Sequence, residues 1–398
     1  MLRRTHLASL WVGILLVVSI LAQMWGTTIA NVSRMLLYPM WMMSVPVIVV
    51  LFKNPYIPKC GEFKKVLIFG CLFIVYCILV HQGVGGFMKF AGTVILCYTT
   101  GLLLSANQVK EEYLKKSLIM FVIVTIVLGY FIQTNYIGSV SEWMGKQTYS
   151  YGSKNSSGQI MATAFILCLL YLSDFKKRKL FSVIMWGIAS FLGFMILMVQ
   201  CRTAMLGLVI AIGLYLIFKY KDDRKKLGLI FILMLAVVVL ISTESVWSLI
   251  ERALALDKYK DATLNEFSSG RLVLWGKALL EWWETPLFGI GAYYVDNMYL
   301  CALAENGIIG FILLMIIHFS RVCVNLSRKN DFYPADMRKL ILTVKILTVF
   351  FLVESFLEGY PPFGPGICSC IYWMLSGYCD YYCESTNYSF EERGDEVK

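Results

Sequence analysis

The chain has 398 residues, of which 58% are hydrophobic and only 16% charged, too little polar surface for a soluble chain of this length. Its formal net charge of +10 fits Lys and Arg collected on the cytoplasmic side of a bilayer rather than a nucleic-acid footprint. Twelve cysteines without a CxxC pair, and only His6, His81 and His318, argue against a disulfide framework and a metal centre, and no cofactor is expected.

Apolar runs long enough to cross a hydrocarbon core of about 30 Å recur along the whole chain. They are Ala8–Trp25, Met35–Phe52, Val66–Val80, Phe87–Ala106, Ser117–Gln133, Ser157–Ser173, Leu180–Val199, Thr203–Phe218, Leu227–Ser242, Met298–Ile316, Leu340–Leu357 and the shorter Ile367–Tyr382. The expected fold is an all-α polytopic membrane protein, a single integral-membrane domain over residues 1–398 with about twelve transmembrane helices. Ala8–Trp25 is too long for a signal-peptide core and reads as an uncleaved first span. No internal repeat is visible, and the short acidic segment 380–398 reads as a disordered cytoplasmic tail.

With the N-terminus in the cytoplasm, most of the 36 Lys and Arg fall on inside segments, such as 53–65, 176–179, 219–226 and 321–339. That bias sets the orientation. It places two polar segments outside: Thr134–Ser156, and the large extracytoplasmic loop Thr243–Asn297. A loop of that length is usually functional. Two amphipathic stretches within it, Val246–Tyr259 and Leu272–Glu284, predict short helices. The second carries Leu272, Trp275, Leu279, Trp282 and Trp283 toward one side, follows a possible cap at Ser268 and Ser269, and stops at Thr285-Pro286.

Few polar residues stand where chemistry is plausible. Arg202, in a very short outer connection, is either a snorkelling anchor or a guanidinium suited to paired hydrogen bonds with a diphosphate. Arg271 begins the second loop helix, where a bare cation opposes the helix dipole. It is either a solvated arginine or half of an anion site with the free N–H groups there. Asp296-Asn297 is either a polar stop at the membrane edge or a base and hydroxyl-orienting pair. Glu305, within an apolar run, needs a polar interior; Glu354 and Glu358 are weaker instances, and Lys345 reads as a snorkelling lysine. The segment Gly152–Gly158, with Lys154 and Asn155, is a flexible polar approach to a span. No phosphate-binding glycine loop, HExxH or serine elbow is present.

Four of these pieces, in this order, resemble the O-antigen ligase/polymerase superfamily of integral-membrane enzymes acting on undecaprenyl-linked glycans. They are Lys154-Asn155-Ser156-Ser157-Gly158; Cys201-Arg202-Thr203-Ala204; Gly270-Arg271 through Trp275, Pro286, Gly289 and Gly291; and Asp296-Asn297-Met298 through Glu305-Asn306-Gly307. Asp296 stands where the ligase branch has a histidine, which favours the polymerase branch.

The resemblance implies a glycosyltransferase that polymerises polyprenyl-diphosphate-linked oligosaccharide repeat units into O-antigen, capsule or exopolysaccharide on the outer face of the bacterial cytoplasmic membrane. Ligase-like transfer to a final acceptor, or a lipid-linked oligosaccharide flippase, are the alternatives. Arg202, Arg271 and Asp296 would be catalytic; Lys154, Asn155, Asn297, Glu305, Tyr293 and Tyr294 would bind substrate, with Trp282 and Trp283 on sugar or lipid. The implied partners are the undecaprenyl-diphosphate-linked oligosaccharide, membrane lipid, and a chain-length regulator and flippase of the same pathway; nucleic acid is not one.

Overall fold

A computed structural model describes the chain apart from residues 1, 54, 57–59, 82–87, 146–150, 174–178, 221–222, 224, 227, 229–242, 257–262, 329–332, 365 and 396–398. The described residues form an all-helical integral membrane protein. In chain order the helices are α1 (Leu2–Leu21), α2 (Thr28–Met42), α3 (Ser44–Phe52), α4 (Gly61–His81), α5 (Thr93–Ala106), α6 (Glu111–Ile132), α7 (Val140–Gly145) and α8 (Lys154–Leu167). They continue as α9 (Lys179–Val199), α10 (Arg202–Tyr220), α11 (Glu244–Ala253), α12 (Leu264–Phe267), α13 (Arg271–Glu284), α14 (Met298–Ser327), α15 (Ala335–Leu357) and α16 (Ile367–Asp395).

Among the described residues nine helices are long and apolar enough to cross a membrane, or ten if the bent pair α2 and α3 is one span. The expected twelve is not reached among the described residues. The span expected at 227–242 lies almost wholly outside the described residues. The run Met35–Phe52 is broken by a 51° bend. Pro46 causes it: its ring has no N–H and would strike the carbonyl of Met42, where α2 stops.

The last helix departs from expectation differently. It runs to Asp395, through the segment read as a disordered tail. Its first half is buried, because α16 crosses α5 backbone to backbone. A Cβ on Gly101 would stand 1.8 Å from Met374 O, and one on Gly377 2.2 Å from Tyr98 O. Small residues at a crossing let two helices approach this closely. At the far end of that crossing Asp380 binds Arg321, Arg328 and Tyr98, all buried or nearly so. Paired in this way, charges can lie inside a bundle.

The most consequential departure is in α14, expected as one straight span. At Gly307 the backbone leaves the helix, with φ 62 and ψ −175. In a straight helix Tyr299 and His318 would lie about 28 Å apart along the axis. Here Tyr299 Oη stands 3.2 Å from His318 Nε2. The arm 298–306 is folded back on 308–327. His318 thereby comes beside Tyr299, two residues past the Asn297 cap.

The break costs the helix two internal hydrogen bonds, and the chain segment after α13 replaces them. Ile290 N donates to Ala304 O at 2.9 Å and Gly291 N to Glu305 O at 3.0 Å, while Ile308 N donates to Pro286 O at 2.9 Å. A backbone group left unsatisfied at membrane depth would cost several kcal/mol, so these exchanges are what permit the turn. Gly289 and Gly307 lie face to face: a Cβ on either would come within 2.4 Å of the other strand's backbone. Tyr76 seals the joint, donating to Asn306 O at 2.6 Å and to Phe288 O at 3.0 Å.

Candidate active site

The hairpin of α14 carries the Asp296 segment into the bundle, where it meets α8, α10, α13 and the end of α15. α13 does not begin on a serine cap as expected. Gly270, with φ 81, holds the cap position, and a separate turn, α12, has its own capping box from Thr263 and Glu266. Ser269 takes a left-handed backbone, φ 61, and its hydroxyl accepts from Arg202 Nη2 at 2.7 Å. Asn265 Oδ1 accepts from Val273 N at 3.1 Å, satisfying one free amide of the helix start.

From this start Arg271 reaches inward. Its Nε lies 3.3 Å from Asp296 Oδ2, and its Nη2 3.3 Å from Glu358 Oε1. Glu358 Oε1 also accepts from Asn155 Nδ2 at 2.9 Å, and Thr203 adds a hydrogen bond. Burial first, and then the neighbouring Asp296 carboxylate, push the Glu358 carboxyl up to about 7 against the opposing pull of Arg271. Tyr294 Oη donates to Asp296 Oδ1 at 2.8 Å, and Trp275 Nε1 to Asp296 O at 3.1 Å. Burial and that bond to the carboxylate raise the Tyr294 phenol well above its ordinary range.

Beside this cluster is a cavity of about 310 Å³, lined by Tyr38, Gln159, Tyr294, Glu358, Tyr360 and Ser369 among others. The Tyr294 and Tyr360 rings pack at 5.3 Å between centroids. Deeper in, Gln159 Nε2 donates to Glu354 Oε2 at 2.7 Å, and Glu354 is fully buried. Among the described residues no group of three or more His, Cys, Asp or Glu is placed to hold a metal ion.

Not every residue singled out in the sequence joins the cluster. Arg271, Asp296, Asn155 and Tyr294 do. Arg202 stands at its edge, tied to the turn just ahead of Arg271. Lys154 is exposed on the first turn of α8. Asn297 is the cap of α14: its Oδ1 accepts from Leu300 N at 3.0 Å and its Nδ2 donates to Phe356 O at 3.2 Å. Both ends of its amide are thus spent on the backbone. Glu305 pairs with Lys89 Nζ at 3.1 Å beside the helix break. The Tyr293 carbonyl accepts from Cys301 Sγ at 3.5 Å, and its side chain packs against the buried cluster of Ala278, Val295 and Cys301.

The face expected on α13 also divides. Trp275 and Ala278 turn inward, whereas Leu272, Leu279, Leu280 and Trp283 are exposed. Glu358, weighted least in the sequence, proves to be the residue on which Arg271 and Asn155 converge, and Tyr360 follows it into the cavity wall. The signal available was a carboxylate just past the end of an apolar run and before Gly359-Tyr360-Pro361.

No curated protein matches the chain. Residues 187–315 match the family model described as O-Antigen ligase, a stretch that contains Arg202, Arg271 and Asp296 but neither Asn155 nor Glu358. Over residues 187–315 the chain is similar to that family, which is consistent with the O-antigen ligase/polymerase superfamily.

Proposed function

We propose that the chain polymerises polyprenyl-diphosphate-linked oligosaccharide repeat units into a surface polysaccharide at the outer face of the cytoplasmic membrane. Family members transfer glycosyl groups, and the observation that carries the reading here is Arg271. A guanidinium at a helix start, between two carboxylates and beside a polar, tyrosine-walled cavity, is suited to an anionic leaving group. Transfer needs the acceptor hydroxyl to attack the anomeric carbon while the diphosphate departs. Neutralising the charge that develops on the diphosphate is the largest electrostatic demand of that step. Arg271 meets it, with Arg202 at the neighbouring turn, and a site carboxylate takes the hydroxyl proton. Tyr294 and Tyr360 offer ring faces to sugars, and the exposed apolar side of α13 faces lipid. In this reading residues 243–297 form the outer loop of one membrane domain.

The description of the matching family as O-antigen ligase favours a second reading, transfer of a finished glycan to a final acceptor. The carboxylate at Asp296, with no histidine in the cluster, favours polymerisation. Deleting the chain and resolving the glycans by length separates them. Loss of long chains with single units retained supports the polymerase. Lipid-linked polymer that never reaches its acceptor supports the ligase, and units trapped on the inner leaflet would mean a flippase.

A further inference from the structure

We infer that Glu358 is the proton acceptor of the transfer, held by Arg271 until the donor's diphosphate takes that arginine away, and that Asp296 is a positioning residue. The inference rests on the reading of the chain as a polyprenyl-diphosphate glycosyltransferase.

The two carboxylates are not equivalent. Asp296 has one oxygen on Arg271 and the other on the Tyr294 hydroxyl, and its main chain holds Trp275. It does not line the cavity. Glu358 does, and its contacts with Arg271 and Asn155 fall on one oxygen, Oε1. Asp296 thus steers the guanidinium, while Glu358 borders the space an acceptor sugar would enter.

The charge balance adds a trigger. The groups facing Glu358 are Arg271 from α13, Tyr294 and Asp296 from the segment before α14, Glu354 from the helix it caps, Asn155 on α8, Cys201 just before α10 and Thr203 on α10. One cation serves two acids. A diphosphate arriving at Arg271 competes with Glu358 for the same fork of donors. When Arg271 turns to the phosphates, Glu358 loses its positive neighbour and gains a negative one. Both changes raise its proton affinity. In the step itself the acceptor oxygen bonds to the anomeric carbon. The bond from that carbon to the diphosphate oxygen breaks with its electron pair on the diphosphate, and the hydroxyl proton passes to Glu358. Burial and the neighbouring Asp296 already raise this carboxyl to about 7, close to the working range of a general base.

The test uses the full chain in nanodiscs, with undecaprenyl diphosphate as the binding probe and lipid-linked glycan from cells lacking the chain as the substrate. Glu358→Gln is expected to bind the probe at least as tightly as wild type while single-turnover transfer falls roughly 10²–10³-fold. Glu358→Asp is expected to recover part of the rate with the acid limb of its pH profile moved down. Asp296→Asn is expected to weaken probe binding yet keep the acid limb. Transfer by Glu358→Gln within about tenfold of wild type, or loss of the acid limb in Asp296→Asn, overturns the assignment alone. An Arg271→Ala protein that binds the probe like wild type sinks the diphosphate clamp, and this inference with it.

Discussion

Arg271 Nη2 and Glu358 Oε1 stand 3.3 Å apart although 87 residues separate them in the chain. Because Arg271 also holds Asp296, one side chain ties the start of α13, the segment before α14 and the end of α15 into a single site. The contact exists only because α14 doubles back at Gly307 and delivers its first arm to the bundle interior.

Replacing that arginine is therefore expected to do two things. Arg271→Ala should lower transfer by at least about 10²-fold, the scale of losing one donor to a developing oxyanion. It should also lower the thermal midpoint, since removing one partner of a buried ion pair costs about 3–5 kcal/mol when the other stays charged. Arg271→Lys should restore stability more than rate, because a point charge lacks the fork. Single-turnover transfer and thermal unfolding of the same nanodisc samples check both; equal recovery of the two would remove the argument for the fork.

The pH dependence has a definite sign. Burial and then the neighbouring Asp296 raise the Glu358 carboxyl from an ordinary 4.5 to about 7 in the folded site. Between those values the folded chain binds more protons than the unfolded one, so this group's contribution makes stability fall as pH rises through the window. Glu358→Gln should flatten that part of the stability profile. Activity should run the other way, rising with pH as the base ionises, with its acid limb at or above the upper end of that window because a bound diphosphate raises the carboxyl's proton affinity. An acid limb unchanged in Glu358→Asp would contradict this.

The hairpin of α14 makes a sharper stability test. Gly307→Ala forces a Cβ to 2.4 Å from Leu287 O at a left-handed backbone position. It should cost about 2 kcal/mol or more and abolish transfer by displacing Asp296. Gly276→Ala, in the body of α13 with open space around it, should stabilise by about 0.5–1 kcal/mol. Chemical denaturation in mild detergent reads the pair, and a harmless Gly307→Ala would mean that α14 is straight.

Asn297 separates a cap from a ligand. With its amide committed to Leu300 N and Phe356 O, Asn297→Ala should cost about 1 kcal/mol of stability. Asn297→Asp, which keeps the accepting oxygen, should recover most of it. Undecaprenyl diphosphate affinity should follow stability in both variants; a loss of affinity without a loss of stability would return Asn297 to the substrate.

Much of the bundle was legible because a crossing helix leaves a compositional mark on its own residues. The breaks were less so. Pro46 lies inside Met35–Phe52, expected as one span, and the fold at Gly307 depends on backbone partners at Pro286, Ile290 and Gly291 that lie in another segment. The full length of α16 is hidden for a related reason: its Asp380 is paired with Arg321 and Arg328 rather than solvated. At the site, residue types suggested Arg271 and Asp296, whereas Asn297, expected as a polar stop or a hydroxyl-orienting group, proves to be a helix cap. Glu358 could not be ranked from pattern, since its weight comes from the meeting of Arg271 and Asn155, which no spacing encodes.

The central claim is tested most directly by reconstitution. The purified chain in nanodiscs, given lipid-linked repeat units from cells lacking it and no nucleotide, should produce a ladder of lipid-linked polymers, and Arg271→Ala should not. Absence of a ladder from the wild-type chain, or an undiminished ladder from Arg271→Ala, would contradict the account.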